Sequence, residues 1–118
     1  MGKVTYPAWR QYQEAVAEVF RASGWDAQTD QVVTGVRARH KVDVQVKFLA
    51  HGINCIWIAE CKYWNRPVTK ETMMALKEIV GDCGADRGLI VSTRGFQSGA
   101  IRAATKSNIT LTSIEFIK

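Results

Sequence analysis

The feature that most constrains this chain is a short segment that begins apolar and ends in charge. Residues 56–64 read Ile-Trp-Ile-Ala-Glu-Cys-Lys-Tyr-Trp, and the β-branched start predicts a β-strand covered on both faces. Because side chains two positions apart share a face of a strand, Glu60 and Lys62 should lie side by side. Charges at the end of a buried strand cost free energy unless they are paired, hydrated or bound to a metal. Glu60 and Lys62 therefore form either a structural ion pair or the floor of an active site.

A second predicted strand precedes this segment and carries an acidic residue. Residues 41–48 alternate between polar and apolar positions, which predicts that the valines at 42, 44 and 46 share one face and that Asp43 lies on the other. The segment 49–54 contains Gly and Asn, which suit a hairpin turn. Antiparallel pairing across that turn would bring Asp43 near Glu60. Two carboxylates and a lysine in one cleft are the groups needed to hold a hard divalent cation beside a water molecule.

These segments together resemble the PD-(D/E)XK nuclease superfamily, and within it the Mrr-like restriction endonuclease catalytic domain. The motif residues are Val-Asp-Val at 42–44, Glu-Cys-Lys-Tyr-Trp at 60–64 and Pro-Val at 67–68. Residues 88–96, Gly-Leu-Ile-Val-Ser-Thr-Arg-Gly-Phe, are similar to the strand and turn that follow the active site in that family. The resemblance covers roughly the whole chain. An Asp…Glu-x-Lys pattern is common by chance, and its placement on paired strands is what makes it specific.

The resemblance implies a fold, an activity and a set of site residues. The implied fold is α/β, a restriction-endonuclease-like mixed β-sheet flanked by helices in the order αβββαβ, forming one nuclease-like catalytic domain over residues 1–118. The implied activity is hydrolysis of DNA phosphodiester bonds. Asp43 and Glu60 would bind Mg²⁺ or Mn²⁺, with the backbone carbonyl of Cys61 as a further ligand. Lys62 would orient the attacking water or stabilise developing charge.

The first predicted helix, residues 7–22, contains a departure from the family pattern. Trp9, Tyr12 and Phe20 belong to its apolar stripe, which is expected to face the core. The family has a helix glutamate that helps to arrange the metal site, and its position falls on Gln13. A glutamine can hold a water molecule or touch a phosphate, but it is a weaker metal partner than a carboxylate. Gln13 is therefore a candidate catalytic residue whose active-site role is open.

The net charge of +5 and the pI near 9.3 favour an anionic partner, above all DNA. A basic cluster precedes Asp43, and it is either a solvated loop or a phosphate contact beside the cleft. The same two interpretations are open for Arg94. Tyr63 and Trp64 are either packing residues or base-stacking residues. The basic cluster consists of Arg37, Arg39, His40 and Lys41.

The rest of the chain predicts a helix over residues 69–80 with Thr69 as N-cap, then a parallel strand over 87–93. Residues 97–106 predict a third helix, and 109–117 are expected to be at least partly a strand. The three cysteines form no C-x-x-C motif, so neither a zinc site nor a disulfide framework is expected. The first residues carry no apolar signal segment, and no apolar run is long enough to span a membrane. We expect a cytoplasmic protein.

Three alternatives to a restriction-type nuclease stay open on the sequence. The same fold could resolve Holliday junctions or nick DNA in repair, because substrate choice depends on loops and oligomer geometry. It could also be a DNA-binding module that has lost catalysis, or an interaction domain in which Glu60 and Lys62 form only a buried ion pair. Cutting both DNA strands needs two active sites, so a homodimer is a reasonable hypothesis. Further domains of a longer protein are a separate possibility.

Overall fold

The structure is a computed structural model that describes residues 6–118. The first five residues, where the sequence predicts no signal segment, lie outside the described part. The order of elements confirms the predicted αβββαβ core and extends it at the carboxyl end. The elements are α1 (Ala8–Ala22), β1 (Asp26–Thr34), β2 (Arg39–Ala50), β3 (Ile53–Lys62), α2 (Lys70–Cys83), β4 (Arg87–Ser92), α3 (Ser98–Ala104), β5 (Ile109–Thr112) and α4 (Ile114–Ile117).

One five-stranded sheet in the order β1-β2-β3-β4-β5 organises the fold. The first three strands form two antiparallel hairpins. Helix α2 then crosses over one face, so that β3 and β4 run parallel, and β5 pairs parallel with β4. The sheet is therefore mixed, as predicted. Residues 109–117 are divided between β5 and α4, so only their first part is a strand.

The sheet is covered on both faces. Helix α1 packs on one face, where Val16, Ala17 and Phe20 meet Ala59 in a buried cluster. Helices α2 and α3 pack on the other face, where Leu76 and Ala100 meet Ile58. Neighbouring residues of β3 thus point into different cores, which confirms that this strand is buried on both sides. Trp9, which the helical stripe predicted to be in the core, is 51% exposed.

The alternation expected for β2 is wrong at one position, and that position is Asp43. Val44 belongs to the α1-side cluster, whereas Val42 belongs to the α2-side cluster, so the valines do not share one face. The β1–β2 ladder pairs Thr29 with Val44 and Gln31 with Val42 but omits the pair between them. Asp30, the residue opposite Asp43 in this register, has φ of 55°, a left-handed conformation that aspartate tolerates better than most residues. The strands change face here, and this leaves Asp43 at the border between the two cores.

Helix α2 begins as its sequence predicts. Thr69 is the N-cap and accepts a hydrogen bond at Oγ1 from the backbone N–H of Thr72 at 3.3 Å. The helix ends at Cys83, and its C-cap is Gly84, whose φ of 66° lies in the left-handed region that glycine adopts most readily. Because Thr69 fixes where the helix begins, the loop between Lys62 and Lys70 is short and stays beside the end of β3. No helix within residues 6–118 is long and apolar enough to cross a membrane.

Candidate active site

The candidate site lies where β2 separates from β3. The β2–β3 ladder ends with Val44 opposite Ala59, so that Asp43 and Glu60 follow directly after the last pair. Strand β3 nevertheless continues to pair with β4 as far as Lys62. A cleft therefore opens between β2 and β3, and the Asp43 side chain fills the place of a backbone partner. Its Oδ2 accepts the N–H of Cys61 at 2.8 Å.

Gln13 reaches this cleft from α1. It is buried, and its Nε2 donates a hydrogen bond to Asp43 Oδ1 at 2.9 Å. Burial raises the pKa of Asp43 above its usual value, and the nearby charge of Glu60 raises it further. The Cys61 hydrogen bond and the charge of Lys62 act in the opposite direction but do not cancel the increase. The Asp43 carboxylate is thus held in place without full compensation of its charge.

Glu60 and Lys62 form the ion pair that their spacing predicted. Lys62 Nζ lies 2.9 Å from Glu60 Oε2, and their side chains are 20% and 18% exposed. The ammonium also lies 5.0 Å from the ring centroid of Trp64. The lysine is therefore held between a carboxylate and an aromatic face while part of it stays in contact with solvent. The structure therefore confirms the ion pair, which lies where β2 and β3 stop pairing, and the active-site interpretation of the same two residues stays a prediction.

The backbone of Cys61, and not its side chain, faces the cleft. The N–H and C=O of one strand residue point to the same edge, and the Cys61 N–H points to Asp43 on β2. The carbonyl of the next residue, Lys62, points the other way and accepts the N–H of Thr93 at 3.2 Å. The Cys61 thiol packs against the α1-side cluster, and burial raises its pKa far above the ordinary value. The thiol is neutral and unsuited to act as a nucleophile.

These groups suit a hard divalent cation with few protein ligands. Within residues 6–118, no group of three or more His, Cys, Asp and Glu side chains is arranged to hold a metal ion. The cleft instead offers the carboxylates of Asp43 and Glu60 with the carbonyl edge of Cys61, and all three donors are oxygens. Mg²⁺ commonly uses one or two carboxylates and keeps several water molecules. The donor set therefore fits Mg²⁺ or Mn²⁺ and does not fit a tetrahedral zinc site.

Two residues of the basic cluster before Asp43, Arg37 and His40, bind a different carboxylate, whereas Lys41 pairs with Asp30 at 3.5 Å. Asp82, on α2, accepts hydrogen bonds from the backbone N–H of Arg37 at 2.8 Å and of Ala38 at 3.2 Å. His40 Nε2 lies 2.7 Å from its Oδ2. The His40 hydrogen bond is the main reason why the pKa of Asp82 is lowered to about 2, and the Arg37 and Ala38 bonds add to it. The β1–β2 loop is thereby fixed to α2.

Gly35 belongs to this second cluster because the backbone passes close to Asp82 there. In the structure, a Cβ at Gly35 would clash with the Asp82 carboxylate, so glycine is needed for close approach. No short-range motif indicated this cluster, because His40 and Asp82 are 42 residues apart.

The aromatic and basic residues after Lys62 lie beside the site. Tyr63 is 50% exposed, and its ring centroid lies 5.5 Å from that of Tyr12. Trp64 is partly buried and packs against the α2-side cluster. The guanidinium of Arg66, which the sequence did not single out, lies 4.6 Å from the Trp64 ring centroid. Arg94 is exposed at the end of β4. Proximity in the fold thus identifies one residue that no motif marked.

Several solved structures share this fold. A protein of unknown function, AF1548, is 23% identical with a TM-score of 0.74, and the match covers 92% of this chain and 59% of that one. The DNA modification-dependent restriction endonuclease AspBHI is 13% identical with a TM-score of 0.54, covering 99% of this chain and 38% of that one. The restriction endonuclease MspJI, solved in complex with a 27-mer oligonucleotide, is 15% identical with a TM-score of 0.57, covering 92% and 26%.

The chain therefore spans between 26% and 59% of the length of these structural neighbours. At such identities the likeness shows the fold alone. No curated protein matches the chain. The family is shown by a sequence match, since the restriction endonuclease family model Mrr_cat matches residues 7–117. The chain belongs to this restriction endonuclease family, as the motif at Asp43, Glu60 and Lys62 predicted.

Proposed function

We propose that this chain is a divalent-metal-dependent endodeoxyribonuclease that hydrolyses DNA phosphodiester bonds, with residues 1–118 forming one catalytic domain. One observation carries the proposal. The Asp43 carboxylate, with its raised pKa, and the Glu60–Lys62 pair lie in one cleft where β2 leaves β3. Membership of the restriction endonuclease family supports a nuclease activity on independent grounds.

Asp43, Glu60 and the Cys61 carbonyl would hold Mg²⁺ or Mn²⁺. When bound, such a cation lowers the pKa of a water molecule and offsets negative charge on the phosphate in the transition state. Gln13 fixes the orientation of Asp43 through its 2.9 Å hydrogen bond and leaves the remaining lone pairs of the carboxylate available. Its role in this proposal is to position a ligand.

Lys62 would act on the phosphate side of the reaction. Its ammonium is held by Glu60 at 2.9 Å and by the Trp64 ring, so it is directed into the cleft before DNA arrives. A positive charge placed in advance where negative charge develops stabilises the transition state without reorganisation. Lys62 would orient the attacking water or stabilise the developing charge, and either role requires the amine.

Plasmid nicking tests the proposal. Supercoiled plasmid is incubated with Mg²⁺ or Mn²⁺ and with wild type, Asp43→Ala, Lys62→Ala or the control Lys47→Ala. Lys47 is an exposed lysine in the middle of the β2–β3 ladder, opposite Ile56 and away from the end where Val44 pairs with Ala59. We expect wild type and Lys47→Ala to nick the plasmid and the other two variants to leave it intact. Equal DNA binding by all four proteins with no nicking by wild type would contradict the proposal.

A DNA-binding module on the same fold is the second candidate, and Gln13 is the observation that favours it. Where the family motif has a carboxylate, this chain presents a neutral amide to Asp43. Fewer charged ligands weaken a cation site. Detectable nicking by wild type that is lost in Lys62→Ala would exclude this candidate. Nicking restored only by Gln13→Glu would support it.

Cleavage of both strands would further require two copies of the site, and a homodimer is the simplest arrangement. Gel filtration with and without a DNA duplex tests this part of the proposal. A strict monomer on DNA, combined with single-strand nicks as the only product, would indicate a nicking or repair enzyme on the same fold.

A further inference from the structure

We infer that the cleft at the ends of β3 and β4 binds backbone phosphates of the DNA strand beside the bond that is cut. This inference rests on the proposed function and adds a substrate-contact surface to it. The cleft has a volume of about 520 Å³ and opens directly after Lys62. We call it the strand-end cleft; its lining residues are Tyr63, Trp64, Asn65, Arg66, Thr93 and Arg94.

The charge of the strand-end cleft is of one sign. It is lined by two arginines and by no acidic residue. Within residues 6–118, no carboxylate lies within salt-bridge distance of Arg66 or Arg94. Arg21 and Arg37, by comparison, are each bridged to two carboxylates. Two exposed guanidiniums without acidic partners form a site for anions, and their planar donor arrays match phosphate oxygens.

The two sides of the strand-end cleft are joined by hydrogen bonds and so keep a fixed spacing. Thr93 Oγ1 donates to the carbonyl of Trp64 at 2.7 Å, and the Thr93 N–H donates to the carbonyl of Lys62 at 3.2 Å. Further along, the N–H of Val68 donates to the carbonyl of Gly95 at 3.0 Å. The loop that carries Arg66 is thus tied to the turn that carries Arg94. The backbone positions of the two arginines are therefore fixed relative to each other before a ligand binds, which lowers the entropy cost of binding.

Trp64 connects the strand-end cleft to the candidate active site. The Arg66 guanidinium carbon lies 4.6 Å from the Trp64 ring centroid, and Lys62 Nζ lies 5.0 Å from it. A guanidinium stacked on an aromatic ring keeps its N–H groups available for hydrogen bonding. The Trp64 ring therefore positions Arg66 for the strand-end cleft and Lys62 for the scissile phosphate. Phosphates held by Arg66 and Arg94 would belong to nucleotides next to the one that is attacked.

The occupant to which we commit is a DNA backbone, since the chemistry of the cleft is that of phosphate recognition. Contacts to phosphates carry no sequence information and act through counterion release. The strand-end cleft would therefore add affinity to every DNA sequence equally. It would also fix where the strand lies relative to Asp43, Glu60 and Lys62.

The test measures how DNA affinity depends on salt. A fluorescent duplex of random sequence is titrated in EDTA, at several NaCl concentrations, with wild type, Arg66→Gln, Arg94→Gln, the double variant and Lys47→Gln as control. Each phosphate contact contributes about 0.9 to the slope of log affinity on log salt. We expect each single variant to reduce the slope by about 0.9 and the double variant by about twice that amount. Lys47→Gln should leave it unchanged.

Three results would overturn the inference. Unchanged slopes in both arginine variants, with plasmid nicking intact, would refute the strand-end cleft while leaving the proposed function standing. Absence of duplex binding by wild type at all salt concentrations would refute the strand-end cleft, and absence of plasmid nicking with Mg²⁺ or Mn²⁺ in the same preparation would refute the proposed function as well. Displacement of the duplex by inorganic phosphate as effectively as by unlabelled duplex, at equal phosphate concentration, would show a general anion site and no strand-binding surface.

Discussion

Asp43 and Asp82 are two carboxylates withdrawn from solvent, and each accepts two or more hydrogen bonds, yet their pKa values move in opposite directions. Asp82 accepts from His40 and from the backbone N–H groups of Arg37 and Ala38, and its pKa is lowered to about 2. Asp43 accepts from one amide and one backbone N–H, and it lies near Glu60. Burial and that neighbour raise its pKa.

The difference separates a carboxylate whose charge the chain itself compensates from one that, in the proposed function, receives a cation. Asp82 has donors and a cationic partner supplied by the chain, so its charged form is favoured and a loop is fixed to α2. Asp43 is also fixed by two hydrogen bonds, but the positive charge near it does not compensate its own charge. A divalent cation in the cleft would supply that charge, so the chain retains a local cost in stability at the place where chemistry is proposed.

Removing a charge at the candidate active site should lower the cleavage rate far more than removing the charge of Asp82. This difference in rate is the largest effect we expect. Asp43→Asn or Lys62→Met should lower the cleavage rate by roughly 10²- to 10⁴-fold, because each removes a group that the proposed function assigns to the transition state. Asp82→Asn should leave the rate of the folded enzyme within about twofold when assayed well below its melting temperature. Single-turnover cleavage of a labelled duplex measures both. An equal loss in Asp82→Asn would contradict the separation of roles.

For the free energy of unfolding we expect the reverse, with the larger loss at Asp82. Asp82→Asn should lower the free energy of unfolding, because Arg37 and His40 would lose their shared acceptor. The unfolded carboxyl titrates near pH 4 and the folded one near pH 2. The stabilisation is therefore complete above about pH 4 and is lost as the pH falls toward 2.

Denaturant unfolding of wild type and Asp82→Asn across that pH range checks this prediction. The exposed Asp86, which accepts one backbone N–H from Ile56 at 2.7 Å, provides a control as Asp86→Asn. Its loss of stability should be smaller than that of Asp82→Asn. A difference between wild type and Asp82→Asn that does not shrink at low pH would show that the Asp82 charge is not the source of the stability.

Gln13→Glu should disfavour the charged form of Asp43 in the absence of metal and should strengthen cation binding at the site. A third carboxylate would repel Asp43, lower the melting temperature in EDTA and strengthen Mn²⁺ binding by about tenfold. Calorimetric titration with Mn²⁺ measures the affinity. Gln11→Glu adds the same charge at an exposed position of α1 and removes only a surface hydrogen bond to the Tyr6 carbonyl, so it should leave the Mn²⁺ affinity unchanged and lower the melting temperature less than Gln13→Glu does. Equal behaviour of the two variants would remove Gln13 from the site.

The smallest expected effect concerns Trp64. A cation–π contact of about 0.5–1 kcal/mol corresponds to a change of roughly two- to fivefold in rate. Trp64→Leu should lower kcat by about that factor, whereas Trp64→Phe should retain most of the wild-type value because a ring still faces Lys62. Steady-state cleavage of a duplex, with the melting temperature of each variant as a reference for folding, measures the effect. Equal kcat values for the two variants would leave Trp64 a packing residue.

Much of this fold could be predicted because its elements depend on local sequence patterns. The apolar run of β3 predicted burial on both faces, and the spacing of Glu60 and Lys62 predicted their contact, which is 2.9 Å. Thr69 marked the start of α2. The resemblance placed Gln13 beside the site, and the structure brings it to 2.9 Å from Asp43.

What could not be predicted depends on register and on distant contacts. Alternation in β2 put Asp43 on one face of the sheet, but the left-handed conformation of Asp30 accompanies a change of face that no pattern of apolar residues records. The Asp82 cluster joins residues 42 apart, and its donors are mainly backbone N–H groups with no sequence signature. The exposure of Trp9 depends on where α1 meets the sheet.

The most direct test of the central claim uses the pH dependence of stability at Asp43. A raised pKa in the folded state means that the charged carboxylate destabilises the fold above that pKa and does so less as the pH falls. Asp43→Asn removes the charge. The asparagine oxygen can accept the Cys61 N–H, and the Gln13 amide can reverse to accept from the asparagine nitrogen. In EDTA, the advantage of Asp43→Asn should be present at neutral pH and disappear below about pH 4.

The measurement is thermal unfolding of wild type and Asp43→Asn in EDTA at neutral pH and at about pH 4, and with Mn²⁺ at neutral pH. We predict that Asp43→Asn melts above wild type in EDTA at neutral pH, by about 4 °C for each 1 kcal/mol gained, and that this difference is lost at about pH 4. Mn²⁺ should raise the melting temperature of wild type and leave the variant unchanged. A variant that melts below wild type in EDTA and responds to Mn²⁺ as wild type does would contradict the account.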